Sequence, residues 1–330
     1  MKMAGRLVRA FVLASAATVA LGDEAATHAS ASDPGRGWGY ADPATGPLRW
    51  GLIEGEDGPA YPLCAAGMSQ SPIDVSTAPV APALPEQPAV ATDADAPRRA
   101  GPAHATAPSP DPAVLTPALP SVQYGTLADV LRPPPSLPVA MTVEHEHGSP
   151  FFYCGDADDC GAILGVDDKT YALKSVHFHT PAENTVDGIA YPMEMHMVHA
   201  ADDGALAVLG VLFEKTQKSD ADDAVAGMLD AAGVNGDAPP KGASDEPITV
   251  DVDPTALYDA ESGYWRWDGS LTTPPCTEGV LWTLQRRPMP TRADAVEAFA
   301  RSVGAYPGNA RPTQPLNGRQ VDAFEPAPVA

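Results

Sequence analysis

Lys174–Ala200, KSVHFHTPAENTVDGIAYPMEMHMVHA, decides how this chain is read, and it holds four of the eight histidines. Side chains alternate faces along a β-strand, so His177 and His179 point one way while Val176, Phe178 and Thr180 point the other. A second strand over Tyr191–Ala200 puts Glu194, His196 and Val198 on one face, and Met195, Met197 and His199 on the opposite one. Asp187-Gly188 supplies turn chemistry between them. Antiparallel pairing then brings His196 beside His177 and His179. Three neutral imidazoles with one open position make up a catalytic zinc site; a closed structural site needs a fourth protein ligand. An HxH pair alone is weak evidence, because any exposed strand can carry one. The competing reading is three histidines packed in a polar sheet.

Working outward, short strand-like runs separated by Gly, Pro and Asp turns predict a mainly β fold of the α+β class. They cover Met141–His147, Phe151–Tyr153, Ala162–Val166, Tyr171–His179, Leu206–Glu214, Ile248–Val252, Tyr264–Trp267 and Leu281–Gln285. Two helices are expected. Ser219–Ala232 aligns Val225, Met228, Leu229 and Ala232. Thr291–Val303 aligns Val296, Phe299, Ala300 and Val303 and opens on a capping-box-like pair, Thr291 and Asp294. Thr272-Thr273-Pro274-Pro275 forms a stiff loop able to hold a hydroxyl in place, since Pro fixes its own φ and restrains the residue before it. Alone it is just a Pro-rich turn.

Composition bounds the rest. The 330 residues carry a formal charge of −23, with 44% hydrophobic and 19% charged residues, 29 Gly and 37 Pro. That charge argues against nucleic acid and anionic membrane surfaces as partners. Residues 1–22 read as a secretory signal: Lys2, Arg6 and Arg9, then an apolar core over Ala10–Leu21, then Ala20-Leu21-Gly22 as a cleavage site. The apolar core is too short to span a bilayer, and no later segment is long and apolar enough either, so the mature chain is expected to be exported, periplasmic or secreted, without a membrane span. An even cysteine count agrees with export and disulfides, although four cysteines allow three connectivities. Cys154 with Cys160 would close a small loop and Cys64 with Cys276 a long one; a second zinc site is the alternative, with spacings that match no usual ligand pattern. From about 78 to 117 the chain is mostly Ala, Pro, Thr, Ser and Asp, which predicts a mobile insertion inside a single domain over 34–325.

Seven stretches in order, WGY (38–40), QSPID (70–74), HFHTPAEN (177–184), EMHMVH (194–199), LAVLG (206–210), GSLTTPPCTEGVLW (269–282) and ARPTQPLNGR (310–319), resemble the alpha-class carbonic anhydrases. The resemblance implies a large central, mostly antiparallel twisted sheet with short peripheral helices. It implies Zn2+ on His177, His179 and His196, a zinc-bound hydroxide, and reversible hydration of carbon dioxide to bicarbonate and a proton. Thr272 matches a gatekeeper hydroxyl that accepts from the hydroxide and donates to Glu183. Glu194 would support His196 as its hydrogen-bond partner. Val198, Val208, Leu271, Val280 and Trp282 fall at the positions of the apolar substrate pocket, although simple core packing suits their chemistry equally well. Cys64–Cys276 matches a disulfide of exported family members. A monomer or homodimer is expected.

The chain also departs from the family's pattern. Ser175 stands where a longer amide commonly supports the first zinc histidine. Asn184 and Ala182 replace a histidine and a serine. The segment VEHEHGSPFFY (143–153) stands where a strand carrying the proton-shuttle histidine is expected; His147 is the first candidate and His145 the second, because an imidazole suits proton transfer near neutral pH. His199 is expected to point away from the metal. Two other classes remain: a non-catalytic binding protein of the same fold, and an unrelated exported zinc hydrolase or esterase. The three histidines with Thr272 and Glu183 weigh against the first, and the lack of HExxH and GxSxG motifs against the second.

Overall fold

A computed structural model describes residues 37–77, 123–146, 149–155, 160–165, 168–217, 223–234, 248–304 and 308–328. All of them belong to one compact unit, which the chain leaves at Thr77 and re-enters at Gln123. The expected signal segment, the expected insertion over 78–117 and His147 lie outside the described residues.

A 13-stranded sheet forms the body. Its main strands are β1 (Val139–Glu146), β2 (Ser149–Cys154), β3 (Thr170–His179), β4 (Met193–Ala200), β5 (Leu206–Thr216), β6 (Ile248–Val252), β7 (Tyr264–Ser270), β8 (Glu278–Gln285) and β9 (Asp322–Glu325). They lie in the order β6-β1-β2-β3-β4-β5-β8-β7-β9, with Gln123–Tyr124 beyond β9. Pairing is mostly antiparallel; β5 runs parallel to β8 and to Met289–Arg292, and β9 to Gln123–Tyr124. This is the mixed, mostly antiparallel sheet the resemblance implies. β7 and β8 extend past the expected Tyr264–Trp267 and Leu281–Gln285 because their ladder continues to Ser270 and Glu278.

The two faces of the central strands bury different side chains. Met141, Val143, Phe152, Val176, Phe178, Met195 and Met197 join Val225, Leu229, Val296 and Phe299 in the larger core. The helices that cover this face are α1 (Ala224–Ala231) and α2 (Ala293–Val303). Burying a Phe or Met of this kind stabilises the fold by about 1.5–3 kcal/mol. The other face carries the histidines and a second cluster built on Trp265, Trp267, Trp282, Val280 and Val208.

The expected capping box at α2 is not formed. Thr291 Oγ1 donates instead to the carboxylate of Asp223, 3.0 Å away, and Asp294 pairs with Arg292. Asp223 is already the cap of α1, accepting from the Ala226 N–H at 2.9 Å, so one carboxylate closes α1 and fastens it to the entry of α2. A tertiary acceptor took the hydroxyl that local spacing assigned to the helix end.

Candidate metal centre

β3 and β4 pair so that His196 lies directly opposite His177, and Glu194 opposite His179. Alternation does the rest: the three imidazoles share a face, with ring centroids 5.0, 5.2 and 4.5 Å apart. One nitrogen from each ring lies within 4.8 Å of the other two, a group able to hold a metal ion. His179 and His196 are buried, and His177 is half-buried where the group meets a cleft of about 110 Å³. Burial pushes all three imidazoles below their ordinary pKa, His177 and His196 strongly so, and the crowding of His177 by the other two adds to its shift. They are therefore neutral at neutral pH, which is the form that binds metal.

The hydrogen bonds around the rings leave ligand atoms free. His179 Nδ1 lies 2.8 Å from the carbonyl oxygen of Asn309, which takes its N–H, and Nε2 is a buried atom with no partner in the protein. His196 Nε2 lies 3.0 Å from Glu194 Oε1, at ion-pair distance but off the alignment of a full hydrogen bond. His177 Nδ1 has no protein partner. The orphaned His179 Nε2, in a cluster where one nitrogen of each neutral imidazole lies within 4.8 Å of the others, fits a metal ion and fits a packed polar sheet poorly.

Asn184, a departure from the family's pattern, has a place here. The Glu183 and Asn184 N–H groups each donate to Glu194 Oε2 at 2.8 Å, and Asn184 Nδ2 donates to Oε1 at 2.7 Å. Asn184 Oδ1 in turn accepts from the Ile73 N–H at 3.0 Å. Gly210 lies opposite His196 on β5, and a Cβ there would stand 3.0 Å from Glu194 Oε1 and 2.8 Å from Leu284. The glycine of the LAVLG run leaves room for the carboxylate.

Glu183 is the second buried carboxylate. Its Oε1 accepts from the Arg311 N–H at 2.8 Å and lies 3.4 Å from His179 Nδ1. Burial raises its pKa well above the carboxylate range, opposed by the Arg311 N–H and the Thr272 side chain. Thr272 is buried and its side chain lies at hydrogen-bonding range of Glu183, whose Oε2 has no other hydrogen-bond partner in the protein. The loop after β7 is tied down from several sides. Cys276 closes a turn on Thr273, bonds covalently to Cys64, and offers its carbonyl to Gln70 Nε2 at 3.0 Å. The Arg311 guanidinium donates to the carbonyls of Ser71 at 2.7 Å and Cys64 at 3.1 Å. Cys154 is joined to Cys160.

Val198, Val208, Leu271, Val280 and Trp282 come together in the second apolar cluster, and Trp282 meets His196 edge to face at 4.9 Å. The cleft that opens on His177 and His179 has other walls: Trp38, Tyr40, Glu146, Ser149, Phe151 and Thr273. Phe151 stacks on His177 at 4.6 Å. His145 is not among them. It shares the parity of Met141 and Val143, and its ring lies against the backbone at Ala232, on the opposite face of the sheet. Alternation along β1 gives the cleft Glu146 in its place, which corrects the second shuttle candidate. His199 also lies away from the three clustered histidines, with Nδ1 2.8 Å from the Met197 carbonyl oxygen.

Asn309 was missed from sequence. Its carbonyl fixes His179, while its side chain accepts from the Thr180 N–H and donates to the Phe178 carbonyl, both at 2.8 Å. The adjoining ARPTQPLNGR run was a marker of the region but carries no signal for a backbone contact across 130 residues.

Comparison with known proteins agrees with this geometry. The family model of eukaryotic-type carbonic anhydrase matches residues 160–325. A carbonic anhydrase of Pectobacterium atrosepticum is 34% identical over 165 residues, 49% of this chain and 62% of its own length. One from Klebsiella pneumoniae is 37% identical over 159 residues, 48% of this chain and 60% of its own. These matches therefore span less than two thirds of the relatives' length. The solved alpha-carbonic anhydrase of Thermovibrio ammonificans, in complex with the inhibitor sulfanilamide, superposes with a TM-score of 0.60 at 28% identity, covering 87% of this chain and 99% of that one. With three orphan-bearing imidazoles on paired strands and a family match over half its length, this chain belongs to the eukaryotic-type, or alpha, carbonic anhydrase family.

Proposed function

We propose that the protein is a zinc-dependent carbonic anhydrase that hydrates carbon dioxide reversibly to bicarbonate and a proton. The observation that carries this reading is the cluster of three neutral imidazoles, with one nitrogen of each within 4.8 Å of the others. His177, His179 and His196 would hold the ion. Zinc bound there supplies Lewis acidity that lowers the pKa of water to about 7.

The chain's own groups then have separate tasks. Glu194, held by three N–H donors, orients His196 and raises its basicity. The Asn309 carbonyl fixes the His179 tautomer so that Nε2 faces the metal position. Glu183, anchored by the Arg311 N–H, accepts the Thr272 hydroxyl hydrogen, which obliges the Thr272 oxygen to accept from the nucleophile and aim it. Val198, Val208, Leu271, Val280 and Trp282 offer an apolar wall to an uncharged substrate. The Cys64–Cys276 bridge holds the Thr272 loop to the N-terminal segment, and two disulfides support export to an oxidising compartment. The domain reading, one catalytic unit interrupted between Thr77 and Gln123, belongs to the same proposal.

Stopped-flow carbon dioxide hydration on the purified chain, with and without a chelator, tests it. Chelator-sensitive hydration restored by zinc is expected. A folded, zinc-loaded sample with no rate above buffer refutes it.

A further inference from the structure

The cleft in front of the histidines is walled by aromatic rings, hydroxyls and one carboxylate. Among the described residues that line it, Glu146 is the one acidic side chain. Its position is built. β1 alternation turns it toward the cleft, Ser149 is its cross-strand partner, and the Tyr153 hydroxyl donates to its Oε1 at 2.8 Å. Burial and the nearby Glu146 and Glu144 keep the Tyr153 phenol protonated far above neutral pH, so it remains a donor to the carboxylate.

We propose that Glu146 is a specificity-determining residue of this cleft. Its fixed negative charge lowers the affinity of the metal position for anions, the bicarbonate product among them, and leaves neutral carbon dioxide unaffected. The inference rests on the zinc reading above. β1 lies two strands from β3, and two interstrand spacings put the charge about 10 Å from the histidines. Two unit charges at that distance, with an effective dielectric of about 20–40, change an anion's affinity by about 4-fold to 15-fold at low salt. At 1 M salt the Debye length of about 3 Å removes the effect.

The test uses the full chain loaded with cobalt in place of zinc, and reads thiocyanate binding from the visible spectrum of the ion. Glu146→Gln keeps the shape and the acceptor for Tyr153 while removing the charge. It should bind thiocyanate about 4-fold to 15-fold more tightly than the parent at low salt and equally at 1 M salt, with neutral imidazole bound alike by both. Glu261→Gln, the same charge change on an exposed residue at the far side of the sheet, should bind like the parent. Equal thiocyanate affinity in Glu146→Gln and parent at low salt, with the cobalt spectrum intact, overturns the inference and leaves the metal reading standing. A parent chain that takes up no cobalt removes the metal reading and this inference together.

Discussion

Glu194→Gln probes the hydrogen-bonded carboxylate behind His196. In the parent, Oε2 accepts two backbone N–H groups and Oε1 accepts Asn184 Nδ2, all in a fully buried setting. A glutamine must place its NH2 at one of those ends. Facing Oε2's donors, it leaves two buried N–H groups without an acceptor, at about 1–3 kcal/mol each. Facing Oε1's, it opposes Asn184 Nδ2 and His196 Nε2; turning the Asn184 amide to compensate would take Oδ1 from the Ile73 N–H. Neither orientation escapes a buried mismatch, so the metal-free variant should lose about 3 kcal/mol. Zinc affinity should fall about 10-fold to 100-fold, because His196 loses its carboxylate partner. Urea unfolding of the metal-free chain and competition with a chromophoric chelator measure the two effects. Unfolding free energy within about 0.5 kcal/mol of the parent, together with unchanged zinc affinity, would show that Glu194 is not the support described here.

Three further outcomes are expected. Removing Cys64–Cys276 opens a loop of 212 residues and should cost about 5 kcal/mol, against about 2 kcal/mol for Cys154–Cys160, whose partners are 6 apart; urea unfolding of the two double Ser variants checks the order, and the reverse order contradicts the loop-entropy account. Burial pushes His199 down to about 4 from 6.5. Its folded pKa lies below the unfolded one, so the unfolded chain binds the proton first on acidification. Stability present above pH 6.5 drains by about 3 kcal/mol between pH 6.5 and 4, and His199→Gln should lack that loss when unfolding is compared at pH 7 and pH 4. Gly308 has φ +71, and a Cβ there would overlap the Thr180 carbonyl oxygen, so Gly308→Ala should displace Asn309 from His179, destabilise the chain by about 2–4 kcal/mol and weaken zinc binding in the chelator assay.

The periodicity of Lys174–Ala200 was enough to place three imidazoles on one face, because a two-residue period leaves strand side chains no other arrangement. The second shuttle candidate, His145, came from the resemblance instead, and alternation along β1 turns it away from the cleft. His145 and Glu146 are neighbours, and a one-residue change of register exchanges which of them faces the cleft. Only the pairing of β1 with β2 settled it. Thr291 failed for a related reason: local spacing offered it a helix end, but a carboxylate 68 residues away offered a better acceptor.

The sequence by itself determined the fold class and the clustering of the three histidines, since each rests on residue types repeated at short, fixed spacing, and seven motifs in order carried the family. Tertiary structure alone decided which carbonyl fixes His179, how Asn184 holds Glu194 and why Glu146 stands in the cleft. Those are contacts between strands and loops far apart in the chain, where no local period exists and the partner is chosen by sheet register and by the need of buried polar groups for a hydrogen bond.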